Sequence, residues 1–184
     1  MIYTALVESP LGLIALTGDG HSLTSLAITG ERPPDPKPGE IAPAKPELPL
    51  FDAVRRHLDD YFAGRRPDPR KLPLAPAGSL FARTVWDILL EIPYGCTMTY
   101  GEVAAVAARK LGKTRMAAQA VGGAVGANPI AIIIPCHRVM GAGGNLTGYG
   151  GGLALKMKLL ELENVDTTKF FAPRHGASPR TRRQ

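Results

Sequence analysis

The sequence predicts an α+β chain: a small antiparallel sheet with one helix at the N-terminal end, then a mainly helical C-terminal part containing a helix-turn-helix. Three observations lead there. Short β-type runs occupy residues 3–8, 13–17 and 22–28, parted by the turn formers Ser9-Pro10-Leu11-Gly12 and Gly18-Asp19-Gly20. Prolines then cluster twice, up to Pro49 and again up to Pro76. From Ser79 onward the apolar residues recur at helical spacing.

Each element follows in order. The three β runs form a meander. Pro33, Pro34, Pro36, Pro38, Pro43, Pro46 and Pro49 exclude helix and central strand, so that stretch reads as an extended linker. Leu50, Val54, Leu58 and Phe62 stand four apart and predict an amphipathic helix over residues 51–62, closed by Gly64. Pro67, Pro69, Pro73 and Pro76 mark a second break, and the domain boundary is placed there: residues 1–78, then residues 79–168, then a basic tail, 169–184, expected to be disordered. Phe81, Val85, Trp86, Leu89 and Leu90 make one helical face, ended by Ile92-Pro93-Tyr94-Gly95. Thr99 and Glu102 form a capping-box pattern ahead of Val103, Ala104, Val106 and Ala107. Gly112 breaks that helix, and Thr114 is the expected N-cap of the next, from residue 115 to about 125. Two short helices around a glycine-containing turn resemble a helix-turn-helix, a pair also common in proteins that never touch DNA. The second helix carries Ala117, Ala118, Ala120, Gly122, Gly123 and Ala124. Such small side chains suit tight helix packing and equally suit approach to a minor groove only about 6 Å wide. Gly141 to Gly144 read as simple flexibility.

Composition narrows the class. The chain has 184 residues, 45% hydrophobic, 21% charged and only 6% aromatic, so it can build a core, mainly an aliphatic one. It has no apolar span long enough for a membrane helix and no secretory pattern at its start. Two cysteines, Cys96 and Cys136, suggest neither a disulfide framework nor a metal cluster, and a reducing cytoplasmic compartment fits them. The net charge is +6. Its excess lies beyond residue 80, which is weak evidence for nucleic acid.

The chemistry concentrates at Ile134-Pro135-Cys136-His137-Arg138-Val139. The apolar run from Ile130 to Ile134 reads as a strand that carries Cys136 inward, with Pro135 stopping it. A thiol beside an imidazole is a candidate nucleophile, because the thiolate attacks and the thiol does not. A single cysteine is also commonly a small buried hydrophobe. These residues alone leave both readings open.

The surrounding motifs resemble the O6-alkylguanine-DNA alkyltransferase family, also called methylated-DNA–protein-cysteine methyltransferases. The matching residues are Ile92-Pro93-Tyr94-Gly95, Thr99-Tyr100-Gly101-Glu102-Val103-Ala104, Ala120-Val121-Gly122-Gly123-Ala124, Asn128-Pro129, the Pro-Cys-His-Arg turn, Gly148-Tyr149-Gly150-Gly151-Gly152, Lys156, and Leu159 through Glu163. Several separate motifs in order make the resemblance specific.

The resemblance implies a ribonuclease-H-like fold for the N-terminal part. It also implies direct reversal of DNA damage by a monomer without metal or cofactor. The protein would bind double-stranded DNA through the minor groove and rotate the damaged base out of the stack. Cys136 would take the alkyl group irreversibly from O6-alkylguanine; O4-alkylthymine is the second base left open. His137 would accept the thiol proton through a water, Glu163 would polarise His137, and Tyr100 would hydrogen-bond or protonate the departing ring. Asn128, Pro129, Val139, Tyr149, Gly150 and Lys156 would form the pocket, with Tyr149 packed on the extruded base. Thr99, Tyr100, Arg115, Gln119, Ala120, Gly122 and Arg138 would meet DNA, Arg138 in a structural or phosphate-contacting role.

Two positions depart from the pattern. Gln119 stands where the family has an arginine finger that fills the gap left by the flipped base, which implies weaker or slower extrusion, with Arg115 one turn earlier as a partial substitute. Cys96 stands where glutamate is common. Two other readings remain: a lesion-binding relative with weak or no repair, favoured by Gln119, and an unrelated cysteine hydrolase.

Overall fold

The N-terminal β runs pair as a meander because their apolar residues alternate and their turns are short. In the computed structural model, which describes residues 1–30 and 44–172, β1 (Tyr3–Val7), β2 (Leu13–Gly18) and β3 (Leu23–Gly30) form one antiparallel sheet in that order. Ile14 and Leu16, two apart on β2, share one face and are fully buried. Helix α1 (Pro49–Phe62) lays Leu50, Phe51, Val54, Leu58 and Tyr61 into the core. Pro49, assigned above to the linker, is instead the first residue of α1, where its missing N–H is no loss. Pro33, Pro34, Pro36, Pro38 and Pro43 lie outside the described residues.

The C-terminal part is built from α2 (Leu80–Glu91), α3 (Tyr100–Lys110), α4 (Ala118–Gly126) and α5 (Leu153–Leu162), with a short parallel pair of strands, β4 (Met98–Thr99) and β5 (Val139–Met140). The Ser79 hydroxyl caps α2 by accepting from the Ala82 N–H at 3.2 Å. Trp86 is buried, and its indole N–H donates to the Ala124 carbonyl at 2.8 Å, fixing α2 against α4. The sheet, α1 and helices α2 to α4 share one buried cluster.

Both halves of the capping box form at α3: the Glu102 N–H donates to Thr99 Oγ1, and the Thr99 N–H donates to Glu102 Oε2 at 2.6 Å. Thr114 does not cap α4. Helix α3 ends with Gly112 at φ +64° and the Lys113 N–H on the Ala108 carbonyl, and residues 113–117 are then consumed in reversing the chain. Helix α4 begins at Ala118 with no side-chain cap, leaving Arg115 outside the helix.

The run from Ile130 to Ile134 is not a strand. It is a buried turn in which the Ile133 N–H reaches the Ala131 carbonyl and the Ile134 N–H the Ile130 carbonyl. Four of its side chains are buried, so apolarity reported burial and not extension. Ile132 sits at φ +66°, a strained place for a β-branched residue. The turn is clamped to β3 by two backbone bonds, Leu26 N–H to the Pro129 carbonyl at 2.9 Å and Ala131 N–H to the Leu26 carbonyl at 3.1 Å.

Two further expectations change. The start of the tail is ordered: the Phe171 N–H donates to the Gly144 carbonyl and the Phe171 carbonyl accepts from Leu146. The glycines before it form a packed turn, since a Cβ on Gly144 would lie 2.5 Å from the Lys169 carbonyl oxygen. Residues 173–184 of the expected tail lie outside the described residues. No described helix is long and apolar enough to cross a membrane.

Replacing Glu102 with alanine removes one half of the capping box. It is expected to cost about 1 kcal/mol, read as a lower urea midpoint with an unchanged slope.

Candidate active site

The clamped turn delivers Cys136 to a particular place. Pro135 ends the turn, and Cys136–Arg138 form one short 3-10 turn leading into β5. Asn128, just past α4, locks the approach: its amide donates to the Ile134 carbonyl at 2.8 Å, and its Oδ1 accepts from the Ile130 N–H at 3.0 Å. Cys136 lies on a cleft of about 1040 Å³ and keeps 8% exposure. The cleft is bounded by Tyr100, Gln119 and Gly122 of the helix-turn-helix, by the loop from Thr147 to Gly151, and by Ser25 to Ile28 of β3.

Behind the sulfur lies a buried polar cluster. His137 and Glu163 are 0% and 1% exposed, and His137 Nε2 is 2.7 Å from Glu163 Oε1. The same carboxylate accepts from Arg138 Nε at 2.8 Å and Arg138 Nη2 at 2.9 Å, from the Gly95 N–H at 3.0 Å, and from the Tyr61 hydroxyl at 2.8 Å. Gly95 reaches it at φ +78°, and a Cβ there would stand 3.0 Å from the Glu163 carbonyl oxygen, so both the backbone conformation and the tight space favour glycine.

These contacts fix the protonation pattern. Burial alone would raise the Glu163 carboxyl, but hydrogen bonds and charge from His137 and Arg138 outweigh it and hold the group down to about 2. Burial lowers His137 despite Glu163, so the imidazole is neutral. An ionised carboxylate can only accept; Nε2 therefore carries the ring hydrogen, and Nδ1 is the basic nitrogen. Nδ1 has no protein hydrogen-bond partner. Burial pushes the Cys136 thiol up, with Asn128, Tyr149 and Lys156 pulling the other way. Lys156 is buried and donates to the Val139 and Leu146 carbonyls at 2.6 and 2.7 Å; burial lowers it to about 8. The resting pair is thus a thiol and a neutral imidazole whose Nδ1 can accept a proton.

The sequence-derived residues divide into three groups. Tyr100, Gln119, Gly122, Asn128, Pro129, Tyr149 and Gly150 line the cleft together with Cys136 and Thr99. His137, Glu163, Val139 and Lys156 lie behind it, not on it. Arg138 is a correction to its place among DNA-contacting residues: it is 7% exposed, with its guanidinium spent on Glu163 and the Ile92 carbonyl. Arg115 and Ala120 are exposed and off the cleft, and Arg115 is not one helical turn before Gln119, because α4 starts after it. Tyr149 lies beside the thiol on the cleft, close enough for each group to influence the other's proton. Sequence reasoning missed Tyr61, which sits within the apolar stripe of α1 and reads as core, and it missed β3, which has no chemical side chain to flag it. Among the described residues no group of His, Cys, Asp or Glu is arranged to hold a metal ion.

Because Glu163 is held below its ordinary value, its contribution to stability is fully present above about pH 4.5 and is lost as pH falls toward about 2. Denaturation midpoints measured across pH 2 to 7 should fall in two stages, first below about pH 6.5 as the unfolded chain takes up a proton that buried His137 refuses, and then again between about pH 4.5 and 2 as Glu163 is protonated. Glu163→Gln should lower the plateau, since Arg138 loses its buried partner, and should lack the second fall.

Residues 80–165 match the family model of the 6-O-methylguanine DNA methyltransferase DNA-binding domain, and residues 2–76 that of its ribonuclease-like domain. The methylated-DNA–protein-cysteine methyltransferase of Haemophilus influenzae is 41% identical over 165 residues, 89% of this chain and 87% of its own. That of Mycobacterium leprae is 44% identical over 163 residues, 89% of this chain and 93% of its own. The crystal structure of Mycobacterium tuberculosis O6-methylguanine methyltransferase superposes with a TM-score of 0.73 at 41% identity, covering 95% of this chain and 96% of that one. The structure of the Mycobacterium tuberculosis OGT in complex with DNA gives 0.71 at 40% identity, covering 92% and 94%. With two family models spanning nearly its whole length and relatives above 40% identity, this chain belongs to the methylated-DNA–protein-cysteine methyltransferase family.

Proposed function

We propose that this protein repairs double-stranded DNA by moving the alkyl group of O6-alkylguanine irreversibly onto its own Cys136. The observation that carries the reading is a thiol opening onto a cleft beside a helix-turn-helix, with a neutral imidazole and an ionised carboxylate directly behind it. Sulfur attacks the saturated carbon, the S–C bond forms and the C–O6 bond breaks. The thiol proton passes to His137 Nδ1, in the family pattern through a water. Tyr100, whose hydroxyl lies 3.2 Å from that of Thr147 at the cleft, hydrogen-bonds or protonates the departing ring. Glu163 stabilises the imidazolium through Nε2–H, which is triad logic carried by a thiol. The thioether left on Cys136 has no leaving route, so each molecule acts once.

The cleft supports extrusion of the base. Access from the minor groove, by a monomer, is part of the same reading: Gly122 and the exposed Ala118 and Ala120 let α4 approach a narrow groove, with a Cβ on Gly122 still 3.9 Å from the Tyr100 ring. Residues 1–78 and 79–168 act as two domains that share one active site. Gln119, exposed at the cleft mouth, occupies the gap left by the flipped base with an uncharged and shorter side chain than arginine.

Incubation with an oligonucleotide carrying O6-methylguanine should add one methyl mass at Cys136, with one equivalent transferred and no turnover. Cys136→Ser should bind the oligonucleotide and gain nothing. Binding without mass gain by the unaltered protein would replace repair with lesion sensing. Gln119→Arg should raise the single-turnover rate about threefold, as a charge added at the gap left by the base; an unchanged rate would remove Gln119 from the extrusion step.

A further inference from the structure

Helix α1 belongs to the N-terminal part of the chain, yet Tyr61 reaches the catalytic cluster. Its side chain is 3% exposed and packs edge-on to Tyr94, with ring centroids 5.7 Å apart. Its hydroxyl donates to Glu163 Oε1 at 2.8 Å and lies 3.5 Å from His137 Nε2. Oε1 is therefore shared by three donors: Tyr61 Oη, His137 Nε2 and Arg138 Nη2. Tyr61 has one proton to give, and burial together with the neighbouring carboxylate raises its pKa, so it keeps that proton and stays a donor.

We propose that Tyr61 is a positioning residue that sets the proton affinity of His137, by competing with Nε2–H for Oε1 of Glu163. A carboxylate oxygen divided among three donors holds each less strongly than one divided between two. The attraction that would favour an imidazolium is thereby weakened, which adds to the burial that already keeps His137 a neutral acceptor through Nδ1. The groups that face His137 are Glu163 and Lys156 from α5 and its end, Arg138 and Cys136 from its own turn, and Tyr61 from α1, with Tyr94 and the Arg66 stacked on it further out. Of these, Tyr61 comes from the N-terminal part and is uncharged. It can therefore change how Glu163 is shared without changing the net charge of the cluster. The kinetic consequence rests on His137 being the base for Cys136.

The test is Tyr61→Phe, which keeps the ring and its contact with Tyr94 and removes only the hydroxyl. A melting temperature within a few degrees of the parent's is checked first. His137 is then titrated between pH 5 and 8 through its ring-nitrogen chemical shifts in DNA-free protein, a readout that looser packing alone does not move in one direction. The expected result is a midpoint raised by about one pH unit, tenfold in proton affinity. The acid limb of the single-turnover methyl-transfer rate should move to higher pH by the same amount, because a ring already protonated cannot take the thiol proton. A midpoint equal to the parent's, or lower, overturns the inference. A raised midpoint with an unmoved rate profile supports the coupling of Tyr61 to His137 and overturns His137 as the base. Those two failures are distinct from the absence of methyl on Cys136, which would overturn the repair reading itself.

Discussion

The carboxylate of Glu163 is the contact on which the rest of the structure depends. A buried carboxylate costs several kcal/mol in lost hydration unless donors replace the water. Here two oxygens accept from Tyr61, His137, Arg138 twice, and the Gly95 backbone. The donors come from α1, from the turn that ends α2, and from the Cys-His-Arg turn, while the acceptor closes α5. None of these segments can satisfy the charge alone. The active site is therefore assembled from segments far apart in the chain, and the motifs that build it are scattered along the sequence for that reason. Gly95 illustrates the constraint: any side chain there would meet the backbone of the residue whose carboxylate it serves.

The same logic gives the N-terminal sheet more than a supporting part. The turn that carries Cys136 contains Ile132 in a left-handed conformation, which persists only where its surroundings over-determine it. Two of those restraints are the backbone bonds between Leu26 on β3 and the Pro129–Ala131 segment. Asn128 supplies others from the α4 side. The nucleophile is held between the sheet and the helix-turn-helix, so a shift of either body would be felt at the sulfur. Residues of β3 also face the cleft directly.

Legibility in the sequence followed the range of the interaction. The meander, the spacing of α1, the start of α2 after Ser79, the Thr99 cap and the end of α3 at Gly112 are set by neighbours within a few residues, and each was readable. The start of α4 was not, because the C-terminal turn of α3 consumed residues that local propensity gave to the helix. The Ile130 to Ile134 run was misread as a strand because a fully buried turn and a buried strand have the same composition. Pro49 was misassigned because a proline at a helix start and a proline in a linker look alike until the helix is seen. Tyr61 and the burial of Arg138 were illegible for a different reason. Both depend on Glu163, a hundred residues from one and twenty-five from the other, and nothing local distinguishes a tyrosine in an apolar stripe from one whose hydroxyl meets a charge.

Burial presents the reaction with a conflict, since the environment that protects Cys136 also disfavours its thiolate. For an enzyme that turns over, a standing thiolate would be an advantage. For an acceptor consumed once, it would be a liability, because a thiolate reacts with any soft electrophile or oxidant that reaches it. A protonated sulfur on a cleft, with a neutral base behind it, reacts only when something in the cleft makes proton transfer worthwhile. An alkylated base seated against Tyr149 and Tyr100 would do so, by excluding water from the cleft and offering a carbon to the sulfur as the proton leaves. Selectivity then comes from the coupling of two events, filling of the cleft and transfer of the proton to Nδ1, and not from the intrinsic nucleophilicity of the cysteine. With His137 as the proposed base, its proton affinity would decide whether the thiol stays inert or reacts. Burial holds that affinity low, and the division of one carboxylate among its donors limits how far Glu163 can raise it.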